Sequence, residues 1–397
     1  MIDRSRIKFF SVVSYNKPYT DPQSGKHHPK DFYDRDGETK EVLHTLGVGS
    51  VRTVVIMGER RSGKSSMIRH MAVALRSFAT PIGLVEIPWA GITSREELVT
   101  EILHAVSSHV AAQPKAGLTN EDVADLSETE MAGDNPIKAL RALLARVPDQ
   151  RLVVAIDEFD SILVDAPDPE AIISLLGEIT GDESLDIRLL LTVARLPVQL
   201  VTPGAAPSLA NAVITLRPFP KTDLDEMILD ITGDEHLVTV EDLQQFYELS
   251  GGWPYYAKLL LEGMAARPPG PDQVRLALEM ALDNESATER IINVYDVHFS
   301  DEEKQLVLLL AENDGRMAMT QLTEVAVGLD AAAQQLIRRG YVREDAGGVL
   351  RFAVGFLGPW LRNWVRYDLE VDRHIANRLT QRPANAARLA RVGTAAA

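Results

Sequence analysis

The chain has 397 residues, 45% of them hydrophobic and 25% charged, values of a globular protein long enough for two or three domains. It contains no cysteine, which excludes disulfides and thiolate metal sites and suits a reducing cytoplasm. A net charge of −16 excludes a surface that coats nucleic acid generally, and no apolar run approaches the roughly 20 residues of a membrane span.

Taken in chain order, residues 1–31 are polar and punctuated by Pro18, Pro22 and Pro29, and read as an extended arm. Met1-Ile2-Asp3-Arg4 lacks the apolar stretch of a signal peptide. Residues 38–46 read as a helix. The β-branched run Val51–Met57 reads as a buried strand, followed by Gly58-Glu59-Arg60-Arg61-Ser62-Gly63-Lys64-Ser65 and a helix that opens at Ser66. A strand is expected at 82–87 and a helix at 94–110, with Leu98, Ile102, Val106 and Val110 at helical spacing. Residues 111–134 are rich in Gly, Pro and acids and are expected to form a loop, and a short helix is expected at 136–147. The apolar strand Arg151–Ile156 ends in Asp157-Glu158. A helix near 169–179 and strands at 188–193 and 212–216 complete an alternation of strand and helix. That alternation means an α/β fold with a parallel sheet covered on both faces.

From about 221 to 297 helices dominate. Residues 299–368 read as helix, short helix, helix and two short strands around Ala346-Gly347-Gly348, the layout of a winged helix-turn-helix. The expected domains are therefore an arm at 1–31, a core at 32–220, a helical lid at 221–298, a winged helix at 299–370 and a tail at 371–397. The tail carries five arginines (Arg373, Arg378, Arg382, Arg388, Arg391) and one acid.

Strand, G-x-x-x-x-G-K-S loop and helix start form an anion cradle. Glycines let backbone N–H groups turn inward onto phosphates, and the helix N-terminus adds its positive dipole end. Lys64 is then placed for the β/γ-phosphates and the Ser65 hydroxyl for Mg²⁺. Asp157 can hold the same ion through its water shell, and Glu158 is placed to orient or deprotonate an attacking water. A GTPase would want an Asn-Lys-x-Asp base reader after the loop; the only Asn-Lys is Asn16-Lys17, ahead of it, so ATP is the expected nucleotide. Arg60 and Arg61 are expected to face solvent or a neighbouring subunit. His27-His28, with no carboxylate pair nearby, reads as surface.

These motifs, in this order, resemble the STAND-class ATPases, relatives of the AAA+ and origin-recognition ATPases. Phe32-Tyr33-Asp34-Arg35-Asp36-Gly37-Glu38 is similar to the family's arginine box, with Asp34 where glycine is usual. Gly251-Gly252-Trp253-Pro254 resembles its G-x-P motif. The resemblance implies that Arg35 and Glu38 shape the nucleotide pocket, that Pro254 lies against the nucleotide, and that Thr192 or Arg195 senses the γ-phosphate. Read from the residues alone, Arg35 and Glu38 could pair at a helix start, Arg195 could be a solvated loop residue, and Gly251-Gly252 and Pro254 end one helix and begin the next.

The family resemblance implies a slow Mg²⁺-dependent ATPase whose cycle switches assembly or protein-partner binding. An alternative is an ATPase that acts on DNA. The expected recognition helix, Asp330–Arg339, starts with an acid and alanines, a poor match to base edges. Arg338, Arg339, Arg343 and Arg351 are left as a possible backbone-contacting strip, and any DNA binding is expected to be weak, non-specific and dependent on the tail. A scaffold that binds ATP without hydrolysing it is disfavoured by the Asp157-Glu158 pair.

Overall fold

A computed structural model describes residues 35–47, 50–78, 82–113, 135–147, 151–201, 209–232, 237–266, 270, 272–325 and 328–365. The arm at 1–31 with His27-His28, residues 32–34 of the arginine box, nearly all of the expected loop 111–134 and the basic tail lie outside them. The chain divides into two compact units, the first ending at Arg217 and the second running on from Pro218.

The first unit is built on five parallel strands: β1 (Thr53–Met57), β2 (Gly83–Ile87), β3 (Leu152–Ile156), β4 (Ile187–Val193) and β5 (Ala212–Thr215), in the order β2-β3-β4-β1-β5. β3 and β4 are buried along their whole length, which is why they read as unbroken apolar runs without alternation. Successive side chains still leave opposite faces of the sheet. Val54, Ile56, Val153, Ala155 and Leu190 pack against α1 (Asp36–Gly47) and α2 (Lys64–Ala74). Val55, Val154, Ile156, Leu189 and Leu191 pack against α3 (Arg95–Ala111), α4 (Pro136–Leu144), α5 (Phe159–Asp165) and α6 (Pro169–Gly181). Ser94 and Glu97 close a capping box on α3, while Asn135-Pro136 and Asp168-Pro169 start α4 and α6. A single turn, α7 (Val198–Val201), precedes β5.

At the N-terminal end of this sheet, arginines satisfy carbonyls that helix ends leave open. Arg52 donates to Thr180 O (3.2 Å), Asp182 O (2.8 Å) and Leu185 O (3.0 Å), around the end of α6. Arg188 donates to Thr45 O at 2.8 Å and Arg151 to Gly47 O, both at the end of α1.

The second unit begins with the helices α8 (Lys221–Thr232), α9 (Val240–Ser250), α10 (Pro254–Ala265), α11 (Gln273–Leu282) and α12 (Glu285–His298). Gly251 ends α9 in the left-handed region (φ 62°), donating its N–H to Tyr247 O at 2.8 Å, and Pro254 sits in the first turn of α10. A side chain at Gly252 would come within 2.3 Å of the Phe219 carbonyl oxygen, so this turn admits only glycine.

There follow α13 (Asp301–Glu312), β6 (Arg316–Ala318), α14 (Met319–Val325), α15 (Leu329–Arg338), β7 (Val342–Glu344), β8 (Val349–Phe352) and α16 (Leu357–Val365). The three strands form an antiparallel sheet in the order β6-β8-β7. β6 went unexpected because three residues, Arg-Met-Ala, are too few to show a period. Arg339 departs from the strip expected of it. Its guanidinium makes a buried pair with Glu303 (2.8 Å) and lies over the rings of Phe299 (4.9 Å) and Tyr341 (5.2 Å).

Candidate nucleotide site

The order β2-β3-β4-β1-β5 brings three strand ends together at the C-terminal edge of the sheet, where ligands of open α/β sheets bind. β1 delivers the loop Gly58–Ser65, β3 delivers Asp157-Glu158, and β4, lying between them, delivers Thr192.

The loop geometry follows from its residues. Gly58 donates its N–H to Val193 O at 3.1 Å, and a side chain there would meet Ser62 Oγ at 2.7 Å and Leu216 Cβ at 3.1 Å. Gly63 adopts φ 100° as the N-cap of α2 and Arg61 adopts φ 67°, so the chain reverses tightly before the helix. No side chain caps α2, and a Cβ at Gly63 would meet nothing within 4 Å, so the chain is open beside the start of the helix. Ser66 is exposed in that first turn, and Glu59 and Ser62 are buried. Lys64 is buried, with Nζ donating to Gly58 O (2.7 Å) and Glu59 O (3.0 Å). Burial pushes its ammonium below the ordinary lysine range, against the opposing pull of Asp157, Asp160, Glu158 and Glu59.

Asp157 is buried at the centre. Its Oδ2 accepts from the Ser65 hydroxyl at 2.6 Å and its Oδ1 accepts from the Thr192 hydroxyl. The Glu158 N–H donates to Thr192 Oγ1 (2.9 Å) and Asp157 Oδ1 (3.1 Å). These bonds hold Glu158 at φ 48°, a conformation uncommon for glutamate and of the kind stored at functional sites. One carboxylate and one hydroxyl, both hard oxygens and in contact, fit a small cation that keeps most of its water. Among the described residues no group of three or more His, Cys, Asp or Glu could hold a metal.

Residues 31–193 match the AAA ATPase domain family. The chain carries an AAA ATPase domain. Its structure resembles a Walker-type ATPase of Pyrococcus abyssi, with a TM-score of 0.59 at 16% identity over 85% of this chain and 98% of that one. Cdc6p of Pyrobaculum aerophilum matches with a TM-score of 0.46 at 16% identity, over 92% of this chain and 99% of that one. A STAND protein with a tetratricopeptide repeat sensor from Pyrococcus horikoshii matches with a TM-score of 0.36 at 13% identity, over 86% of this chain and 44% of that one. At such identities the likeness to the first of these speaks for the fold. No curated protein matches by sequence. No described helix is long and apolar enough to cross a membrane.

Within the AAA domain, Arg35 does more than pair with Glu38. Buried at the start of α1, it contacts Glu38 Oε1 (3.0 Å) and also donates to Ser62 O (3.3 Å) in the phosphate loop and to Arg217 O (2.7 Å) beyond β5. Arg60 does not point away from the site, as expected of it; its Nη2 reaches Glu158 Oε2 at 3.2 Å. Burial raises the Glu158 carboxyl above the ordinary range, Arg60 pulls it back, and Asp157 adds to the rise. Arg61 and Arg195 are exposed. Asp160, not singled out in the sequence, accepts the N–H groups of Ala194 (2.9 Å) and Arg195 (3.4 Å) on Oδ2, and so ties the start of α5 to the end of β4. Its only sequence signal is its place two residues beyond Glu158. Pro254 belongs to the second unit.

Proposed function

We propose that the AAA domain binds ATP with Mg²⁺, hydrolyses it slowly, and uses the cycle as a switch for self-association or for binding a protein partner. The observation that carries this reading is the convergence of Asp157 on Ser65 and Thr192, with Glu158 beside it at the mouth of the phosphate loop. In this reading the N–H groups of Gly63 to Ser66 and the Lys64 ammonium hold the phosphates. Lys64 exchanges its two carbonyl partners for phosphate oxygens, which recovers the interaction that burial withholds. Ser65 and Asp157 hold the ion, which when bound offsets charge on the phosphates. Glu158, kept charged by Arg60, takes the proton of the attacking water. Thr192 and Arg195 sense the γ-phosphate, and Arg35 and Glu38 fix the pocket wall. In the same reading the segment from α13 to α16 is a winged helix used for docking. The exposed face of α15 carries Asp330, Ala331, Gln334, Gln335 and Arg338, with an acid where a base reader would place a donor.

The test is phosphate release and ATP binding measured on the full chain and on Glu158→Gln. Retained binding with turnover lowered roughly 10²–10⁴-fold is expected of a lost general base. Turnover at the wild-type rate would remove Glu158 from the mechanism. Light scattering with ATP, with ADP and without nucleotide reads the switch directly; a mass that never changes removes self-association from the proposal.

A further inference from the structure

β2 lies at one edge of the parallel sheet and carries a single charge, Glu86, among the apolar Leu84, Val85 and Ile87. Val85 and Ile87 pack with residues of α3 on one face, while Leu84 packs with the cluster that α2 covers on the other. Alternation along the strand therefore sends Glu86 to the α2 face. Its register partner is Ala155, which packs on that same face, and Asp157 stands two residues further along β3. Strand spacing and rise place the Cα atoms of Glu86 and Asp157 about 8 Å apart, with both side chains on the side of the phosphate-loop helix. α2 repeats the arrangement. Its Ser65 meets Asp157 at 2.6 Å, and Arg69 follows one turn along the same helix face.

The fold gives this carboxylate no partner. Among the described residues Glu86 makes neither a hydrogen bond nor an ion pair, not even with Arg69. Glutamate is also a poor strand residue. Glu86 reaches solvent at the sheet edge, yet protein crowds its carboxyl enough to raise it above the ordinary range. The Asp157 charge adds to the rise and Arg69 pulls it back. A carboxylate kept at a cost beside the acid at the centre of the site points to a task there.

We propose that Glu86 is a positioning residue of the metal site, its carboxylate accepting a hydrogen bond from a water of the Mg²⁺ that Ser65 and Asp157 hold. The role rests on the ATPase reading. Mg²⁺ keeps several of its waters when bound, and acceptors around the ion fix their places. Asp157 has little capacity left for them, since it already accepts from Ser65, Thr192 and the Glu158 N–H. Glu86 has both oxygens open. Among the described residues no group of three or more His, Cys, Asp or Glu closes on one ion, so Glu86 acts through water and not as a direct ligand.

The experiment is calorimetric titration of the full chain with the non-hydrolysable ATP analogue AMP-PNP, once with excess Mg²⁺ and once with EDTA. The ratio of the two affinities reports what the metal contributes to binding. Glu86→Gln should lower that ratio about 10-fold and Glu86→Ala by up to about 100-fold, the range for outer-shell partners of a metal. With EDTA both variants should bind the analogue at least as well as the wild type, because a negative charge near the phosphates is gone. Loss of a merely structural residue would weaken both titrations alike and leave the ratio in place. The glutamine variant keeps the size of the side chain and decides the matter even where the alanine variant does not fold. An unchanged ratio in Glu86→Gln, whatever the absolute affinities, would overturn the proposal. A wild-type chain that binds no analogue with Mg²⁺ would overturn the ATPase reading itself, and this role with it.

Discussion

The two units use arginine in opposite ways. In the ATPase unit, Arg35, Arg52 and Arg188 turn their guanidinium groups onto backbone carbonyls at helix ends and in the phosphate loop. In the small sheet of the second unit, Arg316, Arg351 and Arg343 are stacked in register on an open face. An arginine that meets orphan carbonyls is part of the fold, because removing it leaves buried acceptors without a donor. Of the three, only Arg351 has a carboxylate partner among the described residues, Asp345 at 3.0 Å; Arg316 and Arg343 are exposed beside it. Arg339 obeys the first rule inside the second unit, paired with Glu303 and covered by two rings. Surroundings, and not the residue type or the unit, decide which use applies.

Lys64 tests the boundary between these uses and should give the largest effect. Its partners are carbonyls, yet burial holds its ammonium below the ordinary range, so the charged form is disfavoured in the folded state. A lysine shifted downward opposes folding at any pH below the ordinary lysine value, and in full below its lowered value. Lys64→Ala should therefore abolish ATP binding, measured by calorimetry, without lowering the nucleotide-free unfolding midpoint. A large loss of stability with ATP binding intact would move Lys64 to the structural class.

Arg35 is the reverse case. Arg35→Ala leaves Ser62 O and Arg217 O without their donor and should cost about 1–3 kcal/mol, read from urea unfolding of the full chain by circular dichroism. Nucleotide affinity should fall less than in Lys64→Ala, because the loop is loosened and no phosphate contact is lost. An unchanged midpoint would mean that the carbonyls find other donors.

These cases also mark how far the sequence could be read. The phosphate loop, the acidic strand and the α/β alternation were legible because each is a local pattern: glycines at fixed spacing, or an apolar run that ends in two acids. The glycine turn at Gly251-Gly252 and the start of α10 at Pro254 were legible for the same reason. Contacts between distant segments were not. Arg35 meets the carbonyl of Arg217, Arg60 meets Glu158, and Asp160 meets the amides of Ala194 and Arg195, all pairings made by sheet order. The Arg316–Arg351–Arg343 row is a property of register, and β6 was too short to announce itself. Arg339 sits next to Arg338 in sequence and nowhere near it in role.

Arg60 gives a smaller effect with a definite sign. It stabilises the charged form of Glu158, whose carboxyl burial has already raised. With Arg60→Ala that support is gone and the carboxyl rises further, so a base that must be deprotonated is lost at higher pH than in the wild type. The acid limb of the ATPase pH profile should move to higher pH, with ATP affinity little changed at neutral pH. A limb that stays in place would show that Arg60 does not hold Glu158 in the working enzyme.

The smallest expected effect separates the two uses of arginine most cleanly. Arg343 contributes a positive charge opposite Arg351 and has no described carboxylate of its own within ion-pair distance, so replacing it should relieve repulsion and break nothing. Threonine also suits a strand better than most residues. Arg343→Thr should raise the stability of the second unit by about 0.2–1 kcal/mol, the scale of a cross-strand pair. Three of the four tryptophans, Trp253, Trp360 and Trp364, belong to that unit, so urea unfolding followed by tryptophan fluorescence reports on it. The sign is what matters: Arg35→Ala should destabilise and Arg343→Thr should stabilise. A destabilised Arg343→Thr would place Arg343 among the structural arginines.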